Sequence, residues 1–346
     1  MSYERGWAAL NLKMPSTIPH TEYCSHPELV RYVSGLDPGN KEEETEAYQR
    51  FYRLTDYDLL WVSNDGPEWK GRVTSMGHAV FQENGSDYNP EVYCPFKDPQ
   101  EVLSFDPVAE YGIPNIEERA SYFEEFYQKG QRENPNLVFP GGYYKTIFSA
   151  CIHAFGWEMF LSSAPLDEER FDRVLEGFFQ ISLANYQAWA RTSIKVFICH
   201  DDIVWSAGPV FHPNWYRKHI FPRYKKLWSI LKKEGIKVLF CSDGNFDQFI
   251  DDIAEAGADG FIFEPLTSLE KIVEKYGKTK VIIGNIDTRV LTFGTREEIF
   301  REVRRCANIG RNCPGYFFAV GNHIPHNVPL KNALYYLELI KKLGRR

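Results

Sequence analysis

The sequence predicts a single-domain (β/α)8 barrel of the TIM type, and three observations carry that prediction. Short apolar runs centred near Ile18, Leu60, Val138, Phe197, Leu239, Ile262, Ile282 and Phe318 read as eight strands. Helix-period segments alternate with them. Most runs also end in turn formers and ligand-capable side chains, and the strand C-termini are where parallel α/β folds place their chemistry. An open doubly wound sheet is the competing architecture, but the Gly-x-Gly-x-x-Gly fingerprint of dinucleotide binding is missing.

Taken in order, a short helix over 3–13 is broken by Pro15, and residues 17–23 form the first strand, with His20 and Glu22 near its end. A Glu-rich helix over 39–54 leads to the second strand, 58–63, which ends in Asn64-Asp65-Gly66-Pro67, a turn containing a carboxylate. Residues from about 66 to 96 are polar, aromatic and rich in turn formers. They read as a hairpin or lid inserted in the single 1–346 domain. A proline-bounded connector at 95–107 and a charged helix over 116–134 precede the third strand, 136–139. That strand ends in Pro140-Gly141-Gly142-Tyr143-Tyr144. Two long helices follow, about 145–161 and 167–192, the second with Asp167 as N-cap and acidic residues in its first turn.

The fourth strand, 195–199, ends in His200-Asp201-Asp202, and the helix over 213–234 carries a kink signal at Pro222. The run 238–240 gives way to Cys241-Ser242-Asp243-Gly244-Asn245. A helix closed by Gly257 then leads to the strand 260–263, which ends on Glu264. Strand 280–284 ends in Asn285-Ile286-Asp287. The helix over 295–309 opens with Thr295 three residues before Glu298, a capping-box pattern. The last strand, 316–320, ends in Gly321-Asn322-His323, and a helix over about 329–343 closes the chain with basic residues at its favourable end.

Bulk properties narrow the function classes. With 346 residues, 43% hydrophobic and 25% charged, the chain has the composition of a globular protein with a sizeable core. A net charge of −7 gives no electrostatic reason to expect nucleic acid or an anionic membrane as partner. The start, MSYERGWAALNLK, lacks the apolar stretch of a signal peptide, and no run approaches a membrane-spanning length. Seven scattered cysteines without a Cys-x-x-Cys pair fit reduced thiols, so a cytoplasmic location is expected.

If the barrel closes, its strand ends bring His20, Glu22, Asp65, Tyr143, Tyr144, His200, Asp201, Asp202, Cys241, Asp243, Glu264, Asn285, Asp287, Asn322 and His323 to one mouth. Three chemistries could use such a set. A thiolate, a carboxylate and an imidazole from different strands could hold zinc. Paired carboxylates such as Asp201 and Asp202 could do acid–base work. A Cys241–His323 pair is the third option, but no base-orienting feature accompanies it.

Five stretches carry a family resemblance: HDDIVWSAGPVFHP at 200–213, FCSDGN at 240–245, EAGADGFIFEP at 255–265, GNIDTRVLTFGTREEI at 284–299 and GNHIPHNVPLKNAL at 321–334. They resemble the uroporphyrinogen decarboxylase superfamily, whose fold is a (β/α)8 barrel. The resemblance implies one of two chemistries: cofactor-free decarboxylation of uroporphyrinogen acetates, or zinc-dependent methyl transfer involving corrinoid proteins. Decarboxylases carry Arg-Gln-Ala-Gly-Arg-Tyr near the N-terminus, whose arginines bind substrate carboxylates. The equivalent region here, PSTIPHTEYCSH, has no arginine, although Asp65 matches the position of the family's pyrrole-binding aspartate.

The methyltransferase branch is the closer resemblance. Its thiol-activating members resemble His-x-Cys-Gly-Asn where this chain has Cys241-Ser242-Asp243-Gly244-Asn245, and they keep a cysteine after the last strand where this chain has His323. The resemblance therefore implies a demethylase component that moves a methyl group from a small O- or S-methylated donor to a corrinoid carried by a partner protein. Cys241, Asp243, Glu264 and His323 would hold zinc. Asp65, Asp201 and Asp202 would be catalytic, and Tyr143, Tyr144, His200, Asn285 and Asn322 would bind substrate.

Overall fold

The computed structural model describes residues 2–75 and 92–346, so most of the lid expected over 66–96 lies outside the described residues. Six parallel strands run in chain order around one sheet: Gly141–Tyr143, Val196–His200, Lys237–Ser242, Gly260–Phe263, Val281–Ile283 and Tyr316–Phe317. The two remaining staves are held by single parallel bridges, His20 to Phe318 and Leu59 to Val138. Asp58 N donates to His20 O at 3.0 Å and Leu60 N donates to Val138 O at 3.0 Å, which joins the first two staves to each other and to the third. The eight expected segments therefore close into a barrel.

Strand alternation divides each stave between an inner and an outer side. Leu59, Val138, Val196, Ile198, Leu239, Cys241, Ile262, Val281, Ile283, Phe317 and Ala319 form one buried inner cluster. Their neighbours Phe197, Cys199, Val238, Phe240, Phe261, Phe263, Ile282 and Phe318 belong to a second, larger cluster shared with the helices. Ala9 and Leu10 of the N-terminal helix Ser2–Leu10 join the inner cluster, so this helix packs against the barrel interior. Gly6 permits that fit, because a Cβ there would lie 2.3 Å from Asp58 O.

Several elements depart from the sequence prediction for local reasons. The third stave extends into Gly141–Tyr143, beyond the expected end at 139. Its glycines are needed there, since a Cβ on Gly142 would lie 2.8 Å from Val62 O. The helix expected over 39–54 is shorter, Glu44–Thr55, and is preceded by Pro27–Ser34, whose first turn His26 caps through its ring. The kink signal at Pro222 is a break into Pro213–His219 and Phe221–Lys233. The capping box of Arg296–Gly310 forms as the Thr295 and Glu298 spacing predicted. Two further short strand pairs are present, Cys24–Ser25 with Ile324–Pro325 and Val204–Trp205 with Gly208–Pro209. Among the described residues no helix is long and apolar enough to cross a membrane.

Candidate active site

The C-terminal strand ends form the mouth, and alternation decides which expected residues reach it. Along the fourth stave, Val196 and Ile198 point inward, so His200 and Asp202 continue on that side while Asp201 falls outside. Asp201 is fully buried and accepts from Ile147 N, Phe148 N, Ser149 N and Tyr224 Oη at 2.5–3.1 Å. It anchors the start of helix Phe148–Ser163, which corrects its expected pairing with Asp202 as an acid–base couple. Tyr143 is likewise turned outward, fully buried with its Oη 3.2 Å from Asn185 Nδ2. Asn285 is 2% exposed, donating to Thr267 O and accepting from Arg305, so it too is built into the wall.

Three other residues named in the sequence also serve the scaffold. Glu22 is buried between Tyr336 Oη and Val320 N. His20 packs edge-on to Tyr57 at 5.0 Å, and Asp287 caps helix Thr288–Phe293 while chelating Arg289.

The residues that do meet at the mouth form a connected network around Asp202. Tyr144 Oη donates to Asp202 Oδ2 at 2.7 Å, and Asp243 N donates to Oδ1 at 2.9 Å. His200 Nε2 lies 3.3 Å from the same Oδ1, and the Tyr144 ring stands edge-on to His200 at 4.2 Å. Burial opposes the charge on Asp202, but the neighbouring His200 and these donors hold its carboxyl below the usual range. The opposite applies to Tyr144, whose phenol is pushed up by burial and then by Asp202, so it stays protonated.

On the far side, Asn322 Nδ2 donates to Asp243 Oδ2 at 2.8 Å, while Asn322 Oδ1 pairs with His323 Nδ1. Asn322 has φ +66°, a left-handed conformation that asparagine tolerates better than most side chains. The His323 ring stands edge-on to Tyr23 at 5.9 Å. Glu264 Oε1 accepts from Gly244 N at 2.6 Å. Gly244 has φ +83°, and a Cβ there would lie 2.8 Å from Val204 O and Trp205 O, so only glycine fits. Asp65 Oδ1 accepts from Tyr144 N at 2.6 Å and Lys145 N at 3.3 Å, and burial raises its pKa.

A zinc ion on Cys241, Asp243, Glu264 and His323 does not fit this arrangement. Cys241 is 1% exposed inside the inner apolar cluster. Burial, then the carboxylates of Asp243 and Asp202, push its thiol well above the ordinary range. Among the described residues no three His, Cys, Asp or Glu side chains are grouped to hold a metal ion.

Sequence reasoning passed over Lys145, His153 and Trp69, which cluster beside the mouth. Lys145 Nζ lies 5.3 Å from the Trp69 ring centroid, and His153 stands edge-on to the same ring at 5.4 Å. Their sequence signal is position alone: Lys145 directly follows Tyr144 at a strand end.

The fold and this polar mouth at the strand C-termini define an enzyme-type α/β barrel. The uroporphyrinogen decarboxylase (URO-D) family model matches residues 86–343, most of the chain, and the protein belongs to that family. A uroporphyrinogen decarboxylase of Syntrophotalea carbinolica is 26% identical over 191 residues, 55% of this chain and 53% of the relative. The match thus spans about half the length of that relative. One from Geotalea uraniireducens is 25% identical over 240 residues, 68% of this chain and 69% of the relative. A solved methyltransferase from Methanosarcina mazei superposes with TM-score 0.66 over 99% of this chain and 98% of the other. At 16% identity that likeness shows the fold.

Proposed function

We propose that this chain is a methyltransferase that takes a methyl group from a small O- or S-methylated donor and passes it to a corrinoid carried by a partner protein. The observation that supports this reading is the charge of the mouth. Asp202, Asp243, Glu264 and Asp65 border it, and the nearby Arg289 is already chelated by Asp287. A uroporphyrinogen, with its eight carboxylates, would meet like charge there and not a set of arginines.

The corrinoid supplies the methyl acceptor in this scheme. What the chain supplies is proton handling at the leaving group. The carbon–oxygen or carbon–sulfur bond breaks with its electron pair left on the heteroatom, which then needs a proton. His200 is placed to deliver it, with its Nε2 buried 3.3 Å from Oδ1 of the ionised Asp202, which orients the ring. Tyr144 fixes the carboxylate by donating to its other oxygen.

The test is methyl transfer from a panel of methyl ethers and thioethers to reduced cobalamin as soluble acceptor, followed by the methylcobalamin spectrum. Zinc content of untagged protein is measured beside it. Transfer that falls about 100-fold on Asp202→Asn is expected. The competing reading is decarboxylation, favoured by the names of the curated relatives and by buried Asp65. Release of carbon dioxide from uroporphyrinogen, abolished in Asp65→Ala, with no methyl transfer would overturn the proposal. The clasp of Tyr144 N and Lys145 N on Asp65 argues for a loop-fixing role instead.

A further inference from the structure

Lys145 is 8% exposed, yet its ion-pair partner Glu68, 3.2 Å from Nζ, has a side chain 86% exposed. A counter-charge standing in water is screened and gives back little, and the other nearby carboxylate, buried Asp65, is already engaged by Tyr144 N and Lys145 N. His153 presents a second group on the same ring, its Nε2 buried without a hydrogen-bond partner among the described residues. A buried polar atom left unpaired is costly, and a ligand that pairs it recovers that loss. The Trp69 ring that both approach is held in place by stacking on Tyr111 at 4.5 Å and Phe178 at 5.9 Å. Tyr144, the next residue to Lys145, donates to Asp202, so this cluster adjoins the reacting end of the mouth.

We infer that Lys145 and His153 form a subsite for a single carboxylate on the methyl donor, with the Trp69 ring as its apolar wall. The donor is then a methoxy- or methylthio-substituted carboxylic acid. The ligand carboxylate takes the place of Glu68 on Lys145 Nζ and accepts a second hydrogen bond from His153. Burial holds the His153 imidazole down at about 4, so it is neutral at physiological pH and serves as an uncharged donor. One buried lysine matches one carboxylate, which agrees with a mouth otherwise bordered by acids. The methyl group of the donor rests on the methyl-transfer reading; the carboxylate contact does not.

The experiment is calorimetric titration of the full chain with 3-methoxybenzoate, methoxybenzene and 3-methoxybenzylamine, which share a ring and differ in charge. The benzoate is expected to bind at least about tenfold tighter than methoxybenzene, a preference lost in Lys145→Met and reduced in His153→Gln. Glu68→Gln removes the competing carboxylate at an exposed position and is expected to tighten benzoate binding, a gain that misfolding cannot mimic. Equal affinity for the three probes, no binding of the benzoate, or an unchanged preference in Lys145→Met would overturn the subsite. Lys145-dependent benzoate binding without methyl transfer from any donor would retain the subsite and remove the methyltransferase reading.

Discussion

Neighbouring residues at this mouth take on opposite tasks because each strand presents alternate faces. Cys241 and Asp243 are one strand period apart on the inner side. Cys241 lies within the apolar packing, and Asp243 lies in the polar network above it. Cys241 is therefore a packing residue with a protonated thiol. Cys241→Ala is expected to lower unfolding free energy by about 1–2 kcal/mol through the small cavity it leaves, with kcat/KM per folded molecule nearly unchanged. Urea denaturation and steady-state kinetics on the same preparation check this, and a loss of activity beyond about tenfold would restore Cys241 as a functional ligand. Asp202 behaves differently, because its carboxylate is held ionised amid Tyr144 and His200.

Among the elements, helix Phe148–Ser163 shows most clearly how the site depends on its scaffold. Asp201 accepts three backbone N–H groups at its first turn, with Tyr224 Oη as a fourth donor. Asp201→Ala would leave those donors buried and unpaired, an expected loss of about 3 kcal/mol or more. Because Ser149 Oγ in that same turn accepts from Asp202 N at 2.9 Å, activity should fall in parallel with stability. Asp201→Asn, which keeps an acceptor, should lose less of both; thermal melts with kinetics decide, and a stable but inactive Asp201→Asn would instead make Asp201 catalytic. The eight staves were legible because apolar runs and turn formers are local signals. Asp201 shows what was available and went unused: the alternation through Val196, Phe197, Ile198 and Cys199 already puts it on the opposite side from Asp202. Lys145 and His153 were not legible, since their meeting at Trp69 joins segments far apart in the chain. The missing preference of Gly142 for a strand is overridden in the same way, by the close approach of Val62.

For the molecule as a whole, barrel closure depends on the seam between the first and last staves, and that seam contains a buried acid. Glu22 accepts from Val320 N at 2.8 Å and from Tyr336 Oη, linking the first stave to the eighth and to the closing helix Leu330–Leu343. Burial raises its pKa from 4.5 to about 8, against the pull of those two donors. The folded state thus holds a proton that the unfolded chain releases near 4.5. Its stabilising contribution is complete below that pH, declines as pH rises, and is gone above about 8. His20, in the same stave, works in the other direction: burial lowers its pKa from 6.5 to about 3, so its contribution is lost as pH falls from 6.5. Together they place the most favourable pH for the seam between the two unfolded values, and they separate by mutation. Glu22→Gln keeps an acceptor for Val320 N and a donor for the Tyr336 oxygen, and has no proton to lose. Calorimetric melting is expected to show the native chain losing stability as pH rises from about 6.5 to 8, while Glu22→Gln stays flat over that range. If both proteins lose stability alike, the alkaline weakness lies in another part of the barrel, and the seam closes with Glu22 ionised.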